Sequence, residues 1–358
     1  MELNIRKPKY NKMTKNSKTI GTILTAMTAV ATLTACSNDD EPKAGAGAQL
    51  PITLTASIAP EEATATRSYN ATNLLNGDTC YVWADMINGS TGEQSEYFKA
   101  WTLIANGSGG LSPQVSGDVK LFPATNVLNF YALTGNFGRD ANEEPMVTPG
   151  ELALPTTGIT HTVLADQSTS QNYYKSDLLY AVRKHQEPVS EAVVLPLQHL
   201  LSRIEVVIVA GNGMTTTDLS EAVVELMSVK QEVLFTPDTT KDASIRANLA
   251  NMLVTPNPVK TGNVRMATNV VGQVSDATAS AYADAIIVPQ TIAGSAALIH
   301  VSYLGRDTYY KVPSGGMTFE SGKQYRFRLI ADRIGTPYTV TPVVSDWTAV
   351  EQDELFVE

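Results

Sequence analysis

The chain has 358 residues, 43% of them apolar, with 26 Lys and Arg against 36 Asp and Glu and a net charge of −10. That balance excludes a nucleic-acid partner, because neutralising phosphates requires clustered cations. Only 17% of the residues are charged, and with abundant Thr, Ser, Asn and Gly the composition is that of a secreted β-protein surface.

At the N-terminus Arg6, Lys7, Lys9, Lys12, Lys15 and Lys18 precede an uncharged, apolar-to-small stretch from Thr19 to Ala35. This is the basic region and apolar region of an export signal. The stretch closes in Leu33-Thr34-Ala35-Cys36, which resembles the lipobox of bacterial lipoproteins. The resemblance implies that residues 1–35 are a signal peptide, and that Cys36 takes a diacylglycerol thioether, becomes the mature N-terminus and holds the protein on the outer membrane. Too short and too rich in threonine for a transmembrane helix, the stretch is followed at once by Asn38-Asp39-Asp40-Glu41. This acidic run resembles the tag that sends lipoproteins to the cell surface in Bacteroides-type bacteria. Removing the signal leaves 20 basic against 35 acidic residues, a net charge of −15.

Residues 36–49 are polar and Gly/Ala-rich without an apolar period, so they read as a flexible tether. Order is expected from Leu50. Ile52, Leu54, Ala56 and Ile58 alternate with Thr53, Thr55 and Ser57 before Pro60 ends the strand. Further strands are expected at Cys80–Ala84, Tyr97–Ile104, Val127–Leu133, Leu178–Val182, Arg203–Val209, Val223–Leu234, Ala285–Val288, Ala297–Leu304, Thr308–Val312 and Gln324–Ile330. Helix signal is thin; Ser220–Leu226 turns at most, and Val223, Val224 and Val229 favour a strand there. Thr339–Trp347 alternates Val340, Pro342 and Val344 with Thr and Val, and Pro342 argues for an edge position. The fold class is all-β, as two tandem antiparallel sandwiches, residues 50–212 and 213–358. The boundary is placed at Gly211-Asn212-Gly213, between a strongly apolar run and a Thr-rich connector.

The sequence carries no recognisable catalytic motif. His161, His185, His199 and His300 lack zinc-site spacing. His199 follows the apolar run Val193–Leu197 and reads as a packed or hydrogen-bonded residue. Gly211-Asn212-Gly213 and Ser321-Gly322-Lys323 are incomplete as nucleotide loops, and no Gly-x-Ser-x-Gly elbow is present. With Cys36 lipidated, Cys80 is the remaining cysteine, so no intrachain disulfide forms. Cys80 reads as a buried strand residue. No metal, cofactor or enzymatic activity is expected.

Several segments, in order, resemble the fimbrillin-like family, the lipoprotein-derived subunits of type V pili in Bacteroides-type bacteria. They are Leu75-Asn76-Gly77-Asp78 before an aromatic strand, Asn129-Phe130-Tyr131-Ala132-Leu133, Asp177-Leu178-Leu179-Tyr180-Ala181, the run Leu195 to Ile204, and Val288-Pro289-Gln290. Phe319 to Phe327 and the terminal Ser345-Asp346-Trp347 complete the series. The resemblance implies transthyretin-like sandwiches and a structural subunit or adhesin of a cell-surface pilus. It further implies a first strand, carrying Ile52, Leu54, Ala56 and Ile58, that an arginine- or lysine-specific protease cuts away so that a neighbouring subunit's strand replaces it. In this sequence the cut falls between Arg67 and Ser68, Arg67 being the first basic residue after Lys43 and lying in a polar loop. The segment with Val340, Val344 and Trp347 is the candidate donor or edge strand. Expected partners are other pilus subunits, the outer membrane, the protease, and a host or bacterial surface ligand. The alternatives are a surface glycan-binding lipoprotein, for which Trp83, Trp101 and Trp347 are the tryptophans available, and a non-polymerising cell-adhesion module.

Overall fold

Period-2 alternation becomes strand after strand in a computed structural model of the chain, which describes residues 49–58, 73–137, 147, 150, 154, 158–239, 251–268, 279–333 and 342–347. The first elements are β1 (Leu54–Ser57), β2 (Thr79–Ile87), β3 (Gln94–Ala105), β4 (Gly110–Pro113) and β5 (Val127–Thr134). Next come β6 (Ile159–Thr162), α1 (Ser170–Lys175), β7 (Leu179–Gln186), β8 (Val193–Pro196), β9 (Gln198–His199) and β10 (Ser202–Ala210). A 3-10 turn at Thr217–Leu219 leads to β11 (Val223–Lys230), β12 (Glu232–Phe235), β13 (Leu253–Val254), β14 (Thr261–Arg265) and β15 (Ala267–Thr268). The remainder is β16 (Ala281–Ile287), β17 (Gln290–Ile292), β18 (Ala297–Tyr303), β19 (Arg306–Lys311), β20 (Met317–Phe319), β21 (Lys323–Ala331) and β22 (Val343–Asp346). The fold is all-β, as its sequence pattern requires.

An eight-stranded sheet, β8-β1-β4-β3-β2-β5-β7-β9, curls back until β8 lies beside β7. Its two faces serve two cores. Cys80, Val82 and Ala84 of β2, Phe130 and Ala132 of β5, and Leu179 and Ala181 of β7 fill the interior of the curl. The intervening Trp83, Tyr131, Leu133, Tyr180 and Val182 point the other way, into the core made by the later strands. A pleated strand places neighbours on opposite faces, so strands buried on both sides read as unbroken apolar runs.

The second core lies among a five-stranded sheet, β15-β16-β10-β21-β22, a four-stranded sheet, β14-β11-β18-β19, and smaller sheets β13-β12-β6 and β17-β20. β10 runs antiparallel to β16 and parallel to β21, so every named strand it pairs with follows it in the chain. Its Ile204, Val206 and Ile208 enter the core. Its opposite face carries a buried polar ladder. Arg203 Nε donates to Asp284 Oδ1 at 2.9 Å and its Nη1 to Gln324 Oε1 at 3.1 Å; Gln324 Nε2 and Arg326 Nε both donate to Glu205 Oε2, at 2.9 and 3.0 Å. Burial pushes the Asp284 carboxyl up, to about 7, against the pull of Arg203.

Earlier residues are also woven into these later sheets. β6 pairs with β12, and Gln167 side-chain Nε2 and Oε1 bond the carbonyl and N–H of Ile286 at 2.8 and 2.9 Å, standing in for a strand along β16. The run expected as one strand from Val223 to Leu234 is two. A register shift between Leu226 and Val229, with Ser228 at φ 53°, bends the chain, and after Gln231 it leaves the four-stranded sheet to join β6 and β13.

Candidate functional site: the first-strand slot and the cavity at its end

Residues 50–58 occupy a slot with neighbours on both sides. β1 is antiparallel to β4, with Leu54 opposite Leu111, and parallel to β8, with Leu54 opposite Val193. The ladder extends beyond the strand at both ends: Ile52 N donates to Lys120 O, Phe122 N to Leu50 O, and Ala56 N to Gly109 O, each at 2.8 Å. On the other side Val193 N donates to Thr53 O and Leu197 N to Ser57 O, each at 2.9 Å. Ile52, Leu54, Ala56 and Ile58 are 4%, 2%, 1% and 8% exposed, whereas Thr53 is exposed. All four apolar side chains belong to the core inside the curl. An inserted strand of this kind saturates two backbone edges at once, and its loss bares both.

β22 is the geometric opposite. Among the described residues it closes one end of the five-stranded sheet, paired on one side with β21, Val344 opposite Tyr325. Val343 and Val344 are 58% and 51% exposed, as an edge strand with both faces uncovered allows. Pro342 lies just before it, where a missing N–H costs least. The strand is pinned at its end by Trp347, which is 3% exposed, donates its backbone N–H to Gly322 O at 2.9 Å and stacks on His199 with ring centroids 3.8 Å apart and planes 9° from parallel. His199 Nδ1 lies 2.7 Å from Asp177 Oδ2, so it is a packed, hydrogen-bonded residue.

The structure brings the end of the first strand and the end of β22 to one place. Ile58, His199 and Trp347 line a cavity of about 480 Å³. The start of β2, the end of β5 and α1 form other parts of its wall, contributing Thr79 and Tyr81, Thr134 to Phe137, and Tyr173 to Lys175. Tyr81 meets Phe137 edge-on at 6.2 Å, and Tyr173 meets Tyr174 edge-on at 5.3 Å. Burial pushes the Asp78 carboxyl up, opposed by the Leu75 N–H that its Oδ2 accepts at 2.9 Å. Sequence reading missed α1, and with it this wall. The local signal was present, since Thr169 caps the helix by accepting from Asn172 N at 3.2 Å, but six residues are too few to show a helical period.

Beside the cavity His161 is fully buried. Its Nδ1 accepts from Asn136 N at 3.0 Å, which leaves Nε2 to donate to Ser176 O at 2.9 Å. This neutral tautomer suits an apolar site, and burial lowers the ring to about 4. Cys80 is buried, and burial pushes its thiol up to about 12, so it has no nucleophilic character. His300 lies between Glu225 and Asp307, each nitrogen facing a different carboxylate, and stacks on Tyr309. Among the described residues no group of three or more His, Cys, Asp and Glu is arranged to hold a metal ion. Cys36, Arg67, Ser68 and Val340 lie outside the described residues.

The chain is thus all-β, with β1 held between β4 and β8 and β22 at the end of its sheet among the described residues. The fimbrillin-like family model matches residues 66–347, and the chain belongs to that family, which is structural and adhesive, not enzymatic. Two solved structures agree in fold. A candidate cell adhesion protein from Bacteroides ovatus ATCC 8483 is 16% identical with a TM-score of 0.58, over 85% of this chain and 100% of that one. Another from Bacteroides uniformis ATCC 8492 is 20% identical with a TM-score of 0.50, over 83% and 99%. A fimbrial protein from Bacteroides vulgatus ATCC 8482 is 13% identical with a TM-score of 0.44, over 83% and 99%. No curated protein matches the chain.

Proposed function

We propose that the protein is a structural subunit or adhesin of a cell-surface pilus, held on the outer membrane as a precursor by lipid on Cys36 and assembled by exchange of its first strand after cleavage at Arg67. The observation that carries this reading is the insertion of β1 between β4 and β8, with four buried side chains and backbone bonds on both edges. Burying Ile52, Leu54 and Ile58 at about 1.5–3 kcal/mol each is worth on the order of 5–9 kcal/mol before entropy. A domain is stable by only about 5–15 kcal/mol. Without β1 the slot is an unpaired, apolar groove of the kind that captures a neighbour's strand. While β1 stays attached, its high effective concentration keeps any outside strand from displacing it.

Membership of the fimbrillin-like family supports the surface location and the partnership with other subunits. The open edge at β22 supports the segment holding Val340, Val344 and Trp347 as donor or edge strand. The division into two sandwiches, residues 50–212 and 213–358, belongs to the same reading.

The decisive comparison is trypsin treatment of the wild type and of Arg67→Ala. The wild type should lose the segment before Ser68 and form heat-resistant multimers, while Arg67→Ala stays monomeric. Equal behaviour of the two, whether both polymerise or neither does, would overturn strand exchange triggered at Arg67.

A further inference from the structure

We propose that the cavity at the end of β1 is a binding site for a neutral sugar residue of a surface glycan. The inference rests on the adhesin side of the proposed function, naming its ligand class, and is independent of strand exchange, because an unpolymerised subunit carries the same cavity.

The walls make the case. A volume of about 480 Å³ falls within the roughly 300–1,000 Å³ of small-molecule sites, room for one or two sugar rings. The chain as a whole is 7% aromatic, yet five of the 20 lining residues, Tyr81, Phe137, Tyr173, Tyr174 and Trp347, are aromatic. Tyr81, Phe137 and Tyr174 are half-buried and offer ring surface on which the C–H face of a pyranose packs, whereas Tyr173 and Trp347 are buried and back the wall. Interleaved with them are Asp78, Thr79, Thr134, Asn136, Gln171 and Lys175, a set of carboxylate, hydroxyl, amide and ammonium groups matched to hydroxyls that both donate and accept. Such a polar wall disfavours an acyl chain, whose burial would strand those groups without partners.

Charge selects among sugars. Asp78 and Asp177 face the space together with one Lys or Arg among the described lining residues, Lys175, and the whole chain carries −10. A sialic acid or phosphorylated sugar meets repulsion, whereas a neutral hexose or N-acetylhexosamine does not.

Rigidity completes the site. Trp347 is clamped by its stack on His199, and His199 by Asp177. Asp177 is fixed in turn, its Oδ1 accepting from Leu178 N at 2.9 Å. Asn136 is held by Nδ2 donating to Thr162 O at 2.8 Å and by its backbone N–H on His161. Side chains locked before the ligand arrives lose little entropy on binding it.

The test is saturation-transfer NMR on the whole purified protein with glucose, galactose, mannose and N-acetylglucosamine, and N-acetylneuraminic acid as the anionic comparison. At least one neutral sugar should bind with a Kd of about 1 mM or tighter, and the anionic sugar about tenfold more weakly. Tyr81→Ala should weaken the neutral sugar by about tenfold or more. If Tyr81→Ala fails to fold, Gln171→Trp carries the test, because Gln171 is exposed on α1 and a bulky ring there narrows the cavity. Arg67→Ala should bind as the wild type does, so a failure of strand exchange leaves this result intact. Absence of neutral-sugar binding by the wild type, or binding undiminished in both cavity variants, would overturn the proposal.

Discussion

The slot for β1 can be probed without any protease. A chain beginning at Ser68 lacks the first strand, and a synthetic peptide of residues 50–58 should restore it by refilling the slot between β4 and β8. Leu54 is 2% exposed, at the middle of residues 50–58, facing the core inside the curl. Truncating such a leucine to alanine removes buried methyl groups and leaves a cavity, together about 2–5 kcal/mol. In a binding experiment even the lower figure is a loss of about 30-fold in affinity, since each 1.4 kcal/mol is tenfold. Thr53, one residue away, is exposed, so a Thr53→Ala peptide should bind within about threefold of the native one, as a surface change of about 0.5 kcal/mol or less allows. Fluorescence anisotropy of labelled peptides measures all three affinities. Equal losses for Thr53→Ala and Leu54→Ala would refute the face assignment. Failure of the native peptide to bind a folded Ser68 chain would refute the slot as an exchangeable site.

His161 predicts a specific pH dependence. Its folded value of about 4 lies below the ordinary histidine value of 6.5, so its contribution is complete above pH 6.5 and is lost as the pH falls towards 4, because the unfolded ring takes up a proton that the folded one refuses. The full loss is about 3 kcal/mol. Urea unfolding of wild type and His161→Gln at pH 7 and pH 4.5 should show the wild type losing more stability than the variant; parallel losses would show that His161 is not the cause. Cys36→Ala should leave an unlipidated protein that no longer partitions with membranes, since the thioether has no other attachment point. Wild-type levels of lipid-labelled, membrane-bound Cys36→Ala protein would sink the anchor.

Local physical chemistry was enough for much of this protein. Alternation at Ile52, Leu54, Ala56 and Ile58 told which side chains of the first strand face inward, because a pleated strand has no other way to sort them. The same rule located the middles of β2, β3, β5, β10 and β21, and Pro342 marked an edge. Cys80 in a strand-like run was legible as a buried thiol.

What the sequence by itself could not determine is partnership across distance. Nothing local tells β1 to lie parallel to β8, some 140 residues later, or places β10 beside β16 and β21, because a strand's hydrogen-bonding groups are the same whichever neighbour they meet. The split of Val223–Leu234 at Gln231 and the weaving of β6 into the later sheets follow from where those partners stand. The cavity is of the same kind. Ile58, Tyr81, Tyr174, His199 and Trp347 come from separate parts of the chain, and only the tertiary fold brings the ends of β1, β2 and β22 and the six residues of α1 around one space.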